Sequence, residues 1–365
     1  MMIKTIFKTI LIGSLVSVSI FVLSEQPKAT PNSSSADFSR VSLEDLPKAQ
    51  QEQLLKIAQE ARKQKKFTLK TSGKPDINSI SQETLQSLPS GASIGSDGSI
   101  EQVPHSQETA KDESESLQPS PKIITQGSSK DLSKITNTSL HPNNSIATLM
   151  MSFDNGHNPD DPSNYYLCTG FHVDEDTVLT ASHCVWDIDR PEGIRAANSI
   201  MVVRALNGVD QPYPASYTDA FWVNSDFTKV KRDSNGKLDP TKVPPVDVAA
   251  IRVDKKSDSS LAIRSTKHAV GEQVLAHGYP AESPEFLNKG LYQYNSLGKL
   301  TDLYNQYMMT NQYTEGGMSG GPMWNSKAGV VAAISLNSLS DRDSIAYGPR
   351  FTGKNYDLIK FWMKK

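Results

Sequence analysis

Cysteine is scarce in this chain: Cys168 and Cys184 are the only two. They leave room for a single disulfide, which an exported chain would form and a reducing compartment would leave as two thiols. Long apolar runs are scarce as well. The one candidate, Thr9 to Leu23 in "MMIKTIFKTILIGSLVSVSIFVLSEQPKA", is shorter than the about 20 residues that a membrane-spanning helix needs. No other stretch could span a bilayer. An excess of one charge is lacking too. The net charge of −2 gives no electrostatic reason to expect nucleic acid or an anionic membrane as a partner. Internal repeats are absent.

What is present begins with Lys4 and Lys8 ahead of that apolar run, with small residues near its end. This pattern describes a secretory signal peptide over residues 1–24. Val22 and Ser24 suit the positions before a cut, cleavage after Ala29 is the alternative, and an uncleaved anchor is the rival. Export favours the disulfide. Residues 25–122 then turn rich in Ser, Gln, Glu and Pro, as in "SGASIGSDGSIEQ" and "HSQETAKDESESLQPSPK". Such a composition predicts a mostly disordered region. Its exception is Ser42 to Phe67, where Leu54, Leu55, Ile57 and Ala58 fall near helical spacing. From Ile123 onward, short apolar runs such as "SIATLMMSF", "DTVLTAS", "SIMVVRAL" and "DVAAIRV" are separated by turn residues. They predict an all-β domain, a sandwich or barrel rather than a βαβ array. The closing "NYDLIKFWMKK" offers one helical face in Leu358, Ile359 and Trp362.

The stretch "TEGGMSGGP", Thr314 to Pro322, packs four glycines around Ser319. Glycines beside a serine let backbone N–H groups converge on one point, as an acyl-transfer enzyme needs for its oxyanion. The donors would be the amides of Gly317 and Ser319. The pattern Gly-x-Ser-Gly-Gly-Pro arises by chance at roughly one position in a million, although a glycine-rich hairpin turn would look similar. A serine hydroxyl needs a base to take its proton. His183 in "DTVLTASHCVWD" follows a strand-like run and stands beside Cys184. Of the remaining histidines, His105 lies in the region expected to be disordered, His141 and His157 in polar loops, His172 near a strand, His268 in a charged turn, and His277 in a core or turn position. A buried carboxylate must hold the imidazole. Asp247 in "PPVDVAAIRV" leads straight into an apolar strand, where a lone acid is costly without a partner.

Taken in the order His, Asp, Ser, "LTASHC", "DVAAI" and "GGMSGGP" resemble the chymotrypsin-like (trypsin-fold) serine proteases. "VLAHGYP", "YMMTNQYTEGGMSGGP" and "NSKAGVVAAIS" extend the resemblance toward the bacterial glutamyl endopeptidase and exfoliative toxin branch. The resemblance implies His183 as general base, Asp247 as its orienting acid and Ser319 as nucleophile. It implies Gly317 and Ser319 as the oxyanion hole, and a Cys168–Cys184 disulfide closing the histidine loop. The implied fold is two six-stranded antiparallel β-barrels with a C-terminal helix, the first barrel over about 123–255 and the second over about 256–365. It further implies a monomer that acts on protein or peptide substrates and needs neither metal nor organic cofactor.

The sequence departs from the family in two places. Many animal relatives carry an aspartate before the serine, which pairs with a new N-terminus after zymogen cleavage; here Met318 stands there. In the bacterial branch the free N-terminus helps form the substrate pocket instead. Residues 25–122 are thus expected to be a propeptide, removed by an activating protease near "PSPKIITQ" or later, after Lys134. Glutamate specificity in that branch relies on a histidine in the strand after the serine and a threonine five residues before it. Thr314 is present, but no histidine follows His277, and the matching strand position holds Ile334 or Ser335. Cleavage after glutamate is therefore not expected, and Tyr313, Thr314 and Ser335 suggest a pocket with hydroxyl groups. The rival is a secreted, non-catalytic homologue that serves as a binding or adhesion module. Such proteins normally lose a triad member, and none is missing here.

Overall fold

The computed structural model describes Phe38 and residues 41–64, 76–104, 132–153, 158–265, 267–325, 329–339 and 344–365. The expected signal peptide and the expected cut near "PSPKIITQ" lie outside them. Apolar runs bounded by turn residues become strands, as β-branched and aromatic content favours. Ahead of the barrels come β1 (Val41–Ser42), β2 (Ser93–Gly95), β3 (Ile100–Glu101) and β4 (Ser133–Lys134). The first barrel region holds β5 (Ile146–Ser152), β6 (Tyr166–His172), β7 (Thr177–Thr180), β8 (Ser199–Arg204), β9 (Ser216–Thr218), β10 (Phe221–Asn224) and β11 (Ala249–Arg252). The second holds β12 (Gln273–Gly278), β13 (Tyr294–Leu303), β14 (Tyr307–Thr310), β15 (Pro322–Asn325), β16 (Gly329–Ala333), β17 (Asn337–Leu339) and β18 (Ser344–Pro349). Among the described residues five α-helices join them: α1 (Lys48–Lys63), α2 (Gln82–Ser87), α3 (Ser182–Val185), α4 (Pro284–Leu287) and α5 (Gly353–Trp362).

The fold is mostly β, in two antiparallel sheets. The first runs β3-β2-β10-β11-β7-β6-β5-β8-β9 with β1 on β6, and the second β16-β15-β12-β13-β14-β18-β17 with β4 on β13. Six strands per barrel were expected, and the sheets hold ten and eight. β1–β3 extend the first sheet and β4 the second, and each barrel region adds one three-residue strand, β9 or β17. An open strand edge invites such additions, because its N–H and C=O groups are otherwise unpaired. β7 pairs with β6 only at Phe171 and His172, so β1 takes the uncovered stretch, Val41 against Leu167 and Ser42 against Tyr166.

Ahead of the barrels, order extends further than composition suggests. The expected helix is found as α1, built of strong helix formers, with Leu54, Ile57, Ala58 and Ala61 buried along one stripe. The stretch from Asp76 to Pro104 is ordered as well. Its Ile77, Leu85 and Ile94 join the first barrel's core beside Val178, Phe221, Val223 and Ile251. Few apolar residues suffice here because the β domain supplies the surface that covers them. At the other end, α5 buries Leu358, Ile359 and Trp362, the face read from the sequence. The indole N–H of Trp362 donates to Ser93 Oγ at 2.8 Å, tying the last helix to β2.

Candidate active site

Between β14 and β15 the chain leaves its strand and turns back through Ser319. Two glycines permit that path. Gly317 sits at φ +91°, where a Cβ would meet Tyr279 O at 2.3 Å, and Gly320 at φ +81°, where one would meet Thr180 Oγ1 at 2.1 Å. Neither position accepts a side chain. The turn is closed by Met318 N donating to Glu315 O (3.1 Å) and Gly321 N to Met318 O (2.9 Å). Thr169 Oγ1 donates to Gly317 O at 2.8 Å, and Thr169 N to Ser319 O at 2.8 Å. Among the described residues, the N–H groups of Gly317 and Ser319 find no acceptor within the chain. The two amides named from the sequence thus stand unpaired on either side of Met318.

Met318 itself is fully buried in the second barrel's core with Val274, Ala276, Leu300, Met308 and Met323. Its side chain lies so close to Gly278 that a Cβ there would meet it at 2.9 Å. The residue anchors the loop by packing, where an ion pair would need a charged partner brought to the same place.

His183 and Asp247 belong to the region of the first sheet. His183 lies on α3, the short helix after β7, and Asp247 just before β11. β7 and β11 are neighbours with Thr180 opposite Ala249, which brings the two residues together. His183 Nδ1 is 2.8 Å from Asp247 Oδ2, and His183 N donates to Oδ1 at 3.0 Å. Ser335 Oγ donates to the same Oδ2 at 2.6 Å. Asp247 is wholly buried, and these partners offset the cost of placing a carboxylate there. The other ring nitrogen, His183 Nε2, is buried with no hydrogen-bond partner. Cys168 and Cys184 are bonded to each other. Cys184 Sγ lies 3.7 Å from Ser319 O, so the histidine loop and the serine loop touch.

The pocket residues named from the sequence divide. Tyr313 and Thr314 lead into the serine loop, and the Tyr313 hydroxyl donates to Glu315 Oε2 at 2.9 Å. Thr314 Oγ1 is buried without a partner, while Thr314 O accepts from Asn337 Nδ2 at 2.8 Å. Ser335, by contrast, turns its hydroxyl to Asp247. Ile334, the other candidate for the missing histidine's place, is buried in the second core. Sequence reasoning missed Glu282 and Glu315. Glu315 Oε1 accepts the N–H groups of Glu282 and Ser283, each at 3.2 Å, and Glu282 Oε2 accepts Gly316 N at 2.8 Å. Burial pushes the Glu315 carboxyl above its usual range. No motif marks the pair, since the bonds join segments more than thirty residues apart.

Residues 168–334 match the trypsin-like peptidase domain. That stretch of the chain carries the likeness to the trypsin-like serine peptidases. It is 23% identical over 246 residues to a glutamyl endopeptidase of Bacillus licheniformis, covering 64% of this chain and 67% of the relative. A Bacillus subtilis protein named an extracellular metalloprotease is 26% identical over 256 residues, covering 68% and 71%. A solved structure of a Glu endopeptidase in complex with MPD superposes with a TM-score of 0.51 at 20% identity, covering 64% of this chain and 97% of that one. The matched domain and these relatives together support a chymotrypsin-fold serine endopeptidase akin to the glutamyl endopeptidase branch. As for the second relative's name, one His/Cys/Asp/Glu group among the described residues has metal-ligand spacing, Cys168, His183 and Cys184. Its two sulfurs are joined to each other and so cannot act as thiolate ligands.

Proposed function

We propose that this trypsin-like peptidase is secreted as a precursor and cuts peptide bonds by acyl transfer through Ser319, His183 and Asp247. Ser319 Oγ attacks the peptide carbonyl while His183 Nε2 takes its proton and then delivers it to the leaving amine. Water, activated by the same imidazole, hydrolyses the acyl-enzyme. The observation that carries the reading is the buried His183–Asp247 pair at 2.8 Å facing a serine loop with two uncommitted amides. With Nδ1–H directed at Asp247, Nε2 is the nitrogen left to accept a proton. Gly317 and Ser319 N–H groups would hold the oxyanion.

The substrate is a protein or peptide, and glutamate is not the favoured residue at the cut. The B. licheniformis relative is named for glutamate, but Ile334 and Ser335 supply no cation to this pocket. Glu315 places a carboxyl 2.9 Å from the Tyr313 hydroxyl. Labelling by an organofluorophosphate tests the nucleophile. The processed protein should label, and Ser319→Ala should abolish it. Absence of labelling in the processed protein would favour the non-catalytic binding module. Cleavage of a peptide library by the processed enzyme tests the pocket, and a dominant preference for glutamate would refute that part.

A further inference from the structure

We infer that Phe38 and the Val41–Ser42 strand act as a built-in ligand of the active site, which keeps Ser319 from reacting until they are removed. The inference rests on the peptidase reading and names a regulation of that same site. The Phe38 ring stacks on the His183 imidazole, centroids 4.3 Å apart and planes 18° from parallel, with Phe227 behind it at 6.1 Å. Three residues on, Val41 pairs in antiparallel register with Leu167, immediately before the disulfide cysteine. Val41 also reaches the serine loop: a Cβ on Gly316 would stand 2.7 Å from Val41 Cγ2. The chain therefore meets the imidazole at one point and the glycine preceding the oxyanion amide at another. Thr169, two residues past Leu167, holds both Gly317 O and Ser319 O.

An extended segment that adds to a free strand edge beside the nucleophile uses the same main-chain recognition as a peptide substrate. Here it is held from behind. Leu43 N donates to Tyr165 O at 2.8 Å, Ser42 and Asp45 form a capping box, and Gln50 Oε1 accepts Leu291 N at 2.8 Å. Farther along α1, Arg62 pairs with Asp160 at 3.2 Å. A ligand tethered in this way acts at an effective concentration on the order of millimolar. A cut near Lys122 alone would leave it in place. Activation requires that Phe38 and the Val41–Ser42 strand leave the active site.

The test compares the full-length precursor with the processed form from the medium, following the rate of fluorophosphonate labelling at Ser319. The wild-type precursor should label at least about tenfold more slowly than the processed form. Phe38→Ala and Val41→Asp should each raise the precursor's rate about tenfold or more. In a separate arm, a synthetic peptide "ADFSRVSLEDL", residues 36–46, is titrated onto processed Ser319→Ala protein. It should bind, and its Phe38→Ala version should bind about tenfold more weakly. A precursor that labels as fast as the processed form overturns the inference. So does an active secreted form that still retains residues 38–42, or a peptide that does not bind. Binding without labelling of any form would sink the peptidase reading and leave the docked segment standing.

Discussion

Met318 fills the position where many animal relatives carry the aspartate of an ion-pair switch, and its burial among Val274, Met308 and Met323 makes it a core residue. Met318→Asp should therefore destabilise the fold by about 3 kcal/mol or more, since the new carboxylate would be buried without a partner. A fall in the denaturant midpoint measures this. In the proposed mechanism Ser335 acts through Asp247, to which it donates a hydrogen bond. Removing its hydroxyl in Ser335→Ala takes away one charge-assisted bond worth about 1.5–3 kcal/mol. We expect kcat/KM to fall roughly tenfold with KM little changed, and a wild-type kcat/KM would refute the role. His172 and His277 are buried, and burial holds each down to about 4, with Arg204 adding to the effect at His172. Their unfolded-state value is 6.5, so between the two values the unfolded chain binds more protons and stability falls as pH drops. Glu315, raised by burial, works in the opposite direction. A His277→Gln variant should show a shallower fall in Tm from pH 6.5 to 4 than the wild type.

At the scale of elements, α3 depends on its surroundings. It is a four-residue helix with no side-chain cap, too short to hold itself. The Cys168–Cys184 bond spans 16 residues and ties α3 to β6. Replacing both cysteines with serine should cost about 3 kcal/mol, read as a lower Tm, with activity reduced further than stability alone explains because His183 precedes Cys184. The elements proposed to carry the chemistry were named from the sequence for a local reason. His183, Asp247 and Ser319 each sit in a short motif whose neighbours share its task. Ser335 was named for the pocket and bonds the acid instead, because that bond joins residues 88 apart and leaves no local trace. β1–β3 were missed since their apolar residues are sparse and gain their burial only from the barrel edge they join.

Across the whole molecule, the barrels and their order were legible, while the share taken by the region before Lys122 was not. Composition averages that region to polar, yet Leu43, Leu54, Ile77 and Ile94 are fully buried within it. The hairpin of β2 and β3 completes the first sheet beside β10, and Ser93 at its start accepts the indole N–H of Trp362 from the last helix. Any cut between Pro104 and Leu132 would consequently produce two polypeptides without separating them. A protein processed there should run as one species on a sizing column and as two bands after denaturation. Such a cut alone would change how many chains share one core, with the core kept whole and His183 still covered until the earlier piece leaves.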